Sequence, residues 1–304
     1  MTGIKRIVNS DKFIDIVIMV CLILVLIVEL YPMLFVLSAS VSDPSAVSAG
    51  KLILMPIGFS LDGYARILEY KDIWIGYGNT IFYTLLGTTL NLVVTIPCAY
   101  AFSRKELIGR KKLMLLFVIT MYISGGLIPN YLNVKSFGLL DTRIWIVLSG
   151  AISVYNMIVA RTFFETSIPY ELTEAAKIDG CSDLRILTKI VLPLSKSIMA
   201  VLLLYYGVGH WNEYFNAMVY LEDRNKFPLQ LFLKQILIQG RFAQEAMTSD
   251  NITPEQFELL SQMAKEADMQ KYCVIVVSTV PMLIIYPKLQ KFFEKGVMIG
   301  SIKG

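Results

Sequence analysis

From Ile75 to Phe102 the chain carries no Asp, Glu, Lys or Arg. At about 1.5 Å of rise per residue, a helix of that length exceeds the roughly 30 Å hydrocarbon core of a bilayer. Lipid offers the backbone no hydrogen-bond partners, so a lone apolar run of this kind must satisfy its amides internally, as a helix. Five further stretches have the same character: about Phe13 to Leu37, with Glu29 its one charge after Asp15, about Leu113 to Pro129, about Ile144 to Phe164, about Ser197 to Leu221, and about Tyr272 to Leu289. Arg161 and Glu213 fall near the ends of the fourth and fifth, where long or polar side chains reach the interface at modest cost. With 55% hydrophobic and 17% charged residues among 304, the chain lies outside the profile of a soluble domain. The expectation is an all-α membrane protein with six transmembrane helices in a single domain, 1–304.

Basic residues retained on the cytoplasmic side of short loops set the orientation. Lys5, Arg6 and Lys12 precede the first span, and Arg104, Lys105, Arg110, Lys111 and Lys112 fill the gap after the second. Lys177, Arg185, Lys189 and Lys196 follow the fourth, and Lys288, Lys291, Lys295 and Lys303 the sixth. Both termini are therefore expected in the cytoplasm. The net charge of +4 is this bias rather than a nucleic-acid patch. The first apolar run is too long for the h-region of a signal peptide, about 7–15 residues.

Several chemistries are disfavoured. No G-x-x-x-x-G-K-[ST] loop occurs, so the chain is not expected to hold ATP itself. His210 is the only histidine, which argues against a Ser-His-Asp triad or a His-based metal site. Cys21, Cys98, Cys181 and Cys273 show neither disulfide nor metal spacing. No metal or cofactor is expected on this chain.

External segments are expected at about 38–74 and 222–271. In the second, Pro228 suits a first helical turn, and Thr253 and Gln256 form a capping box around Pro254. The cytoplasmic loop at about 165–196 contains EAAKIDGCSDLRILTKIVLP, residues 174 to 193. Pro169 can start a helix, Gly180 can end it, and Ser182 can cap a second that stops before Pro193. At 100° per residue, Leu172, Ala175 and Ala176 share one face of the first helix, opposite Thr173, Glu174 and Lys177. Small side chains on that face would let another backbone approach closely.

The stretch matches throughout the pattern EAA, three residues, G, nine residues, I, one residue, LP, on Glu174, Ala175, Ala176, Gly180, Ile190, Leu192 and Pro193. It resembles the signature of permease subunits of bacterial ABC importers. YPMLFVLSASVSDPSAV (31–47), GYGNTIFYTLLGT (76–88), AYAFSRKEL (99–107), GGLIPNYL (125–132), WNEYFNAMVYL (211–221) and KGVMIGSIKG at the C-terminus extend the resemblance over nearly the whole chain. They are similar to the carbohydrate branch, the maltose-type second permease and the LplC/YtcP-like group. The resemblance implies a type I ABC importer permease-like fold with a coupling helix that seats on a cytoplasmic ATPase. It assigns that role to Glu174, Ala175, Ala176, Asp179, Gly180, Ile190, Leu192 and Pro193. It further implies a second, different permease subunit, two ATPase copies holding ATP and Mg, and an external substrate-binding lipoprotein. The segment from about Gln239 to Lys271 is longer than in the maltose-type subunits.

Polar residues within spans tend to face a bundle interior or a water-filled path. Asn79, Asn91, Tyr155, Asn156, Trp211, Asn212, Tyr214 and Asn216 are the candidates for a sugar path, since aromatic faces stack on sugar rings and amides bond to hydroxyls. The same residues also serve helix packing and interfacial anchoring. Alternatives are an ABC permease for a peptide or polyamine, and a secondary transporter, for which Glu29 and Glu213 are sparse ion-coupling groups.

Overall fold

The computed structural model describes residues 2–248 and 253–301, and among them the secondary structure is helical, with no strand. In chain order the helices are α1 (Thr2–Ser40), α2 (Pro44–Ser48), α3 (Asp62–Glu69), α4 (Lys71–Ser103), α5 (Arg110–Tyr122), α6 (Leu127–Ser136), α7 (Arg143–Leu148) and α8 (Val154–Ser167). They continue as α9 (Tyr170–Ile178), α10 (Asp183–Ile186), a π-helical segment Leu187–Val191, α11 (Leu192–Leu194), α12 (Lys196–Trp211), α13 (Phe215–Tyr220), a 3-10 turn Arg224–Lys226, α14 (Leu229–Ala246) and α15 (Pro254–Ser301). Three stretches, Lys12–Ser40, Lys71–Ser103 and Pro254–Pro287, are long and apolar enough to cross a membrane, and two bent pairs would make five.

The chain divides into two compact units. The first comprises residues 2–70 and 235–278. Every side chain of α1 from Lys12 to Leu34 is exposed, and such an apolar surface is stable only against lipid or protein. Its last turn is anchored: Cys273 Sγ donates to the Ser40 carbonyl at 3.2 Å, and Tyr64 OH donates to Ser40 Oγ at 2.8 Å. A Cβ on Gly63 of α3 would stand 2.7 Å from the Met269 carbonyl of α15, so only glycine allows this approach. The capping box at the start of α15 is formed, with the Thr253 N–H donating to Gln256 Oε1 at 3.1 Å and the Gln256 N–H to Thr253 Oγ1 at 3.3 Å.

The second unit comprises residues 71–234 and 279–301, with α4 as its spine. Gly76, Thr80, Tyr83, Gly87, Asn91, Thr95 and Ala99 recur at helical spacing and are all buried, a stripe of mostly small groups that lets neighbouring helices close in. A Cβ on Gly87 would overlap the His210 ring of α12. Gly87→Ala is therefore expected to displace His210 and lower the thermal midpoint of the detergent-solubilised protein; an unchanged midpoint would show that α12 shifts freely. An apolar core of Ile96, Ala99, Met157, Phe164, Ile186 and Leu202 joins α4, α8, α10 and α12.

Several expected spans are interrupted. The third ends as a helix at Tyr122, and α6 departs at 111° after Gly126 at φ +86°. The fourth breaks between Leu148 and Val154, where Gly150 sits at φ +77° and Ser153 Oγ accepts the Asn156 N–H. Helix continues through Pro193 to Leu194, rather than stopping before the proline, and then turns 88° into α12. The reason is local: within the π segment the Leu192 N–H reaches back to the Leu187 carbonyl, widening the turn just where the proline ring would crowd an α-helix.

Candidate functional site

The EAA motif folds as a short helix with a defined stop. Pro169 is the residue before α9, with Glu171 in the first turn and Lys177 in the last, both favourable to the helix dipole. Gly180, at φ +75°, ends the helix: the Cys181 N–H donates to the Ala176 carbonyl at 2.9 Å and the Gly180 N–H to the Lys177 carbonyl at 3.0 Å. This is the Schellman pairing, and it needs a left-handed residue at this point.

The faces of α9 divide differently from the expectation that grouped Ala176 with Leu172 and Ala175. Thr173 and Ala176, three apart, point inward and are buried, whereas Leu172, Glu174, Ala175, Lys177, Ile178 and Asp179 face outward. Ala176 joins the apolar core, so Ala175 is the small residue left on the surface. Leu172 is 44%, Ile178 86% and Leu184 of α10 70% exposed. Ile190 and Leu192 pack on the core, while Pro193 is exposed.

The inner face is held by residues of the α4–α5 turn. Buried Arg104 donates through Nη1 to Thr173 Oγ1 at 2.9 Å and through Nε to Ser103 Oγ at 3.1 Å, with its guanidinium 4.7 Å from the Tyr100 ring centroid. Glu106 Oε1 accepts from Tyr170 OH at 2.6 Å and from Lys177 Nζ at 3.3 Å. The Tyr170 hydrogen bond, seconded by a backbone one, holds the Glu106 carboxyl down at about 2, so it is ionised at any physiological pH. Glu165 joins Arg110 at 2.8 Å and Arg161 at 3.1 Å.

The path candidates separate into committed and available groups. Asn79 is saturated: Nδ2 donates to the Asn225 and Phe227 carbonyls at 2.8 and 3.0 Å, and Oδ1 accepts from Arg143 Nη2 at 3.0 Å. Asn91 donates to the Gly150 carbonyl at 2.6 Å, which leaves its oxygen to accept from His210 Nε2 at 2.7 Å. Asn216 donates through both its backbone N–H and Nδ2 to Glu213, which thereby caps α13. Trp211 is buried, edge-on to Tyr77 with ring centroids 6.3 Å apart. Asn156 is buried at the start of α8. Tyr155, Asn212 and Tyr214 remain exposed; Asn212 Oδ1 accepts from Gln230 at 3.4 Å and Lys234 Nζ lies 5.6 Å from the Tyr214 ring centroid. Trp211 borders a cleft of about 300 Å³ with Leu85, Thr88, Leu204 and Ile285, a lining too apolar for a hydroxyl-rich solute. Among the described residues, no group of three or more His, Cys, Asp or Glu side chains could hold a metal ion.

Residues 73–298 match the family described as "Binding-protein-dependent transport system inner membrane component". The chain belongs to this family. It is 40% identical over 295 residues, 97% of this chain and all of the other, to the polygalacturonan/rhamnogalacturonan transport system permease protein YtcP of Bacillus subtilis (strain 168). It is 38% identical over 278 residues, 91% of this chain and 90% of the other, to the protein LplC of the same organism. Its fold matches a chain in the crystal structure of a bacterial ABC transporter involved in the import of the acidic polysaccharide alginate, with TM-score 0.79 and 36% identity over 93% of this chain and 98% of that one. The helical architecture is thus that of an ABC importer permease, a transport component of a membrane rather than a catalytic subunit.

The EAA stretch carried the resemblance to permeases in the sequence, and nothing in that stretch singles out the partners of its inner face. Arg104 read as ordinary positive-inside flanking charge and Glu106 drew no reading, because a bonding partner some seventy positions along the chain leaves no local pattern. Asn91 and His210 were visible only as isolated polar residues in spans.

Proposed function

We propose that this chain is a membrane-spanning permease subunit of an ATP-driven bacterial importer of oligosaccharides or complex glycans, forming half of a heterodimeric pore in the cytoplasmic membrane. Six spans with both termini cytoplasmic would then be α1, α4, the bent pair α5–α6, the interrupted pair α7–α8, α12 with α13, and the apolar part of α15, with the inside loops carrying the basic residues. The loop from 165 to 196 would couple to a separate ATPase, with Glu174, Ala175, Asp179 and Gly180 at the contact. Ala176, Ile190 and Leu192 would act from the core side by holding the loop's shape, and Pro193 by setting its exit. Two ATPase copies would hold ATP and Mg, and an external lipoprotein would deliver the solute.

The observation that supports this reading is that Leu172, Ala175 and Ile178, spaced three apart along α9, are all exposed, on a helix whose Thr173 and Ala176 face is bonded and packed down. The names of the relatives, polygalacturonan and rhamnogalacturonan for one and alginate for another, favour glycans containing uronic acids. For the path, the reading favours Tyr155, Asn212 and Tyr214, which keep exposed surface for a sugar. A non-sugar solute is the alternative within the same machinery, and a secondary transporter the alternative outside it. Expressing the chain with its neighbouring permease and ATPase genes tests the coupling reading: the ATPase should co-purify with the permease pair. Permeases that insert normally and retain no ATPase would overturn it.

A further inference from the structure

Among the described residues Arg104 is the one buried charged residue, and it lies in the turn just past the end of the central helix α4 rather than in the motif it serves. A buried guanidinium is tolerated only when its donors are used. Here they reach sideways to Thr173 on α9 and back to Ser103, while the flat face stacks on Tyr100. Two positions further on, Glu106 takes Tyr170 and Lys177, one residue from each end region of α9. Lys177 in turn lies 3.8 Å from Asp183, across the Gly180 turn. These bonds tie α9 to the turn that leaves α4, remote in sequence, and through Ser103 and Tyr100 to the last turn of α4 itself.

We propose that Arg104 and Glu106 are positioning residues that fasten the coupling helix α9 to α4, so that force applied to α9 is delivered directly to the spine of the unit. This rests on the coupling reading above. Without the clamp, α9 would pull on its chain neighbours α8 and α10 and slide along the apolar core beneath Ala176, because apolar packing has little directional stiffness compared with charged hydrogen bonds. With it, α9 and the cytoplasmic end of α4 move as one body, a shift of discrete packed elements rather than a graded deformation. The mechanical consequence falls on Thr95, Asn91 and Gly87, further along the same helix, whose partners Tyr206 and His210 lie on α12.

The test uses the full assembly purified with its ATPase, with spin labels placed through noncanonical residues at exposed Ala101 of α4 and exposed Glu171 of α9. Distances are compared between the resting state and the ADP–vanadate-trapped state. The native chain and Thr173→Ser, which keeps the hydroxyl, should show one unchanged distance in both. Thr173→Val, which keeps the shape and removes the acceptor, and Arg104→Met should show a distance that shifts on trapping, with the ATPase still bound. A merely structural Thr173 would be satisfied by valine. If Thr173→Val and Arg104→Met hold the native distance in both states, or if the native distance itself shifts, the clamp does not transmit the stroke. Failure of the native chain to bind ATPase would strike instead at the coupling reading.

Discussion

Ala175→Glu is expected to weaken ATPase binding by about 30-fold or more, so that the ATPase no longer co-purifies, while the permease inserts and melts as the native chain does. The side chain at 175 is exposed on α9, and replacing alanine by glutamate in a helix costs only about 0.5 kcal/mol of propensity. At a docked surface the same change inserts bulk and charge among Leu172, Ile178 and Leu184, and truncation or clash at the centre of such a patch reaches roughly 2 kcal/mol or more. The neighbouring Ala176→Glu should behave oppositely. It buries an unpaired carboxylate in the core, a cost of several kcal/mol, so that variant should lose folded protein before any question of docking arises. Co-purification and fluorescence size-exclusion profiles of the two variants, side by side, decide which alanine faces the partner. Equal behaviour of the two would contradict the facing described for α9.

Asn91→Leu is expected to destabilise the second unit by about 2–4 kcal/mol. Leucine leaves the Gly150 carbonyl and His210 Nε2 without the partners they have now, and each orphaned group in a dry interior costs roughly 1–3 kcal/mol, reduced in membranes by substitutes that the surroundings provide. The Gly150 carbonyl lies in the break between α7 and α8, so the loss should loosen that break as well as the α4–α12 contact. Thermal unfolding in detergent, followed by loss of the monodisperse peak, measures it. A midpoint equal to that of the native chain would mean that Asn91 is free for a solute rather than committed to packing.

Long apolar runs, free of charge in α4 and with Glu29 alone after Asp15 in α1, made these two helices legible from sequence, because a helix satisfies the backbone internally in lipid. The breaks were less legible. Gly126 opens α6 and Gly150 follows the end of α7 inside stretches whose hydropathy continued across them, and hydropathy has no term for a left-handed residue. Gly180 was readable because its turn is local, whereas the inward facing of Thr173 and Ala176 goes with partners distant in the chain, Arg104 in the turn after α4 and the apolar core. The amides Asn79 and Asn91 illustrate the same limit: polarity within a span announces a partner without telling a neighbouring helix from a solute. The π turn before Pro193 could not be read from the proline alone, since a proline can either end an α-helix or be absorbed by a wider turn.

The most direct measurement is uptake into proteoliposomes holding this chain, its neighbouring permease and the ATPase, with the binding lipoprotein outside and a labelled oligogalacturonide as probe. Accumulation that requires ATP inside the vesicles, persists when proton and sodium gradients are collapsed, and disappears with Ala175→Glu is the predicted result. Accumulation that follows an ion gradient without ATP, or an assembly that hydrolyses ATP and never takes up the glycan, would contradict the assignment of this chain to an ATP-driven glycan importer.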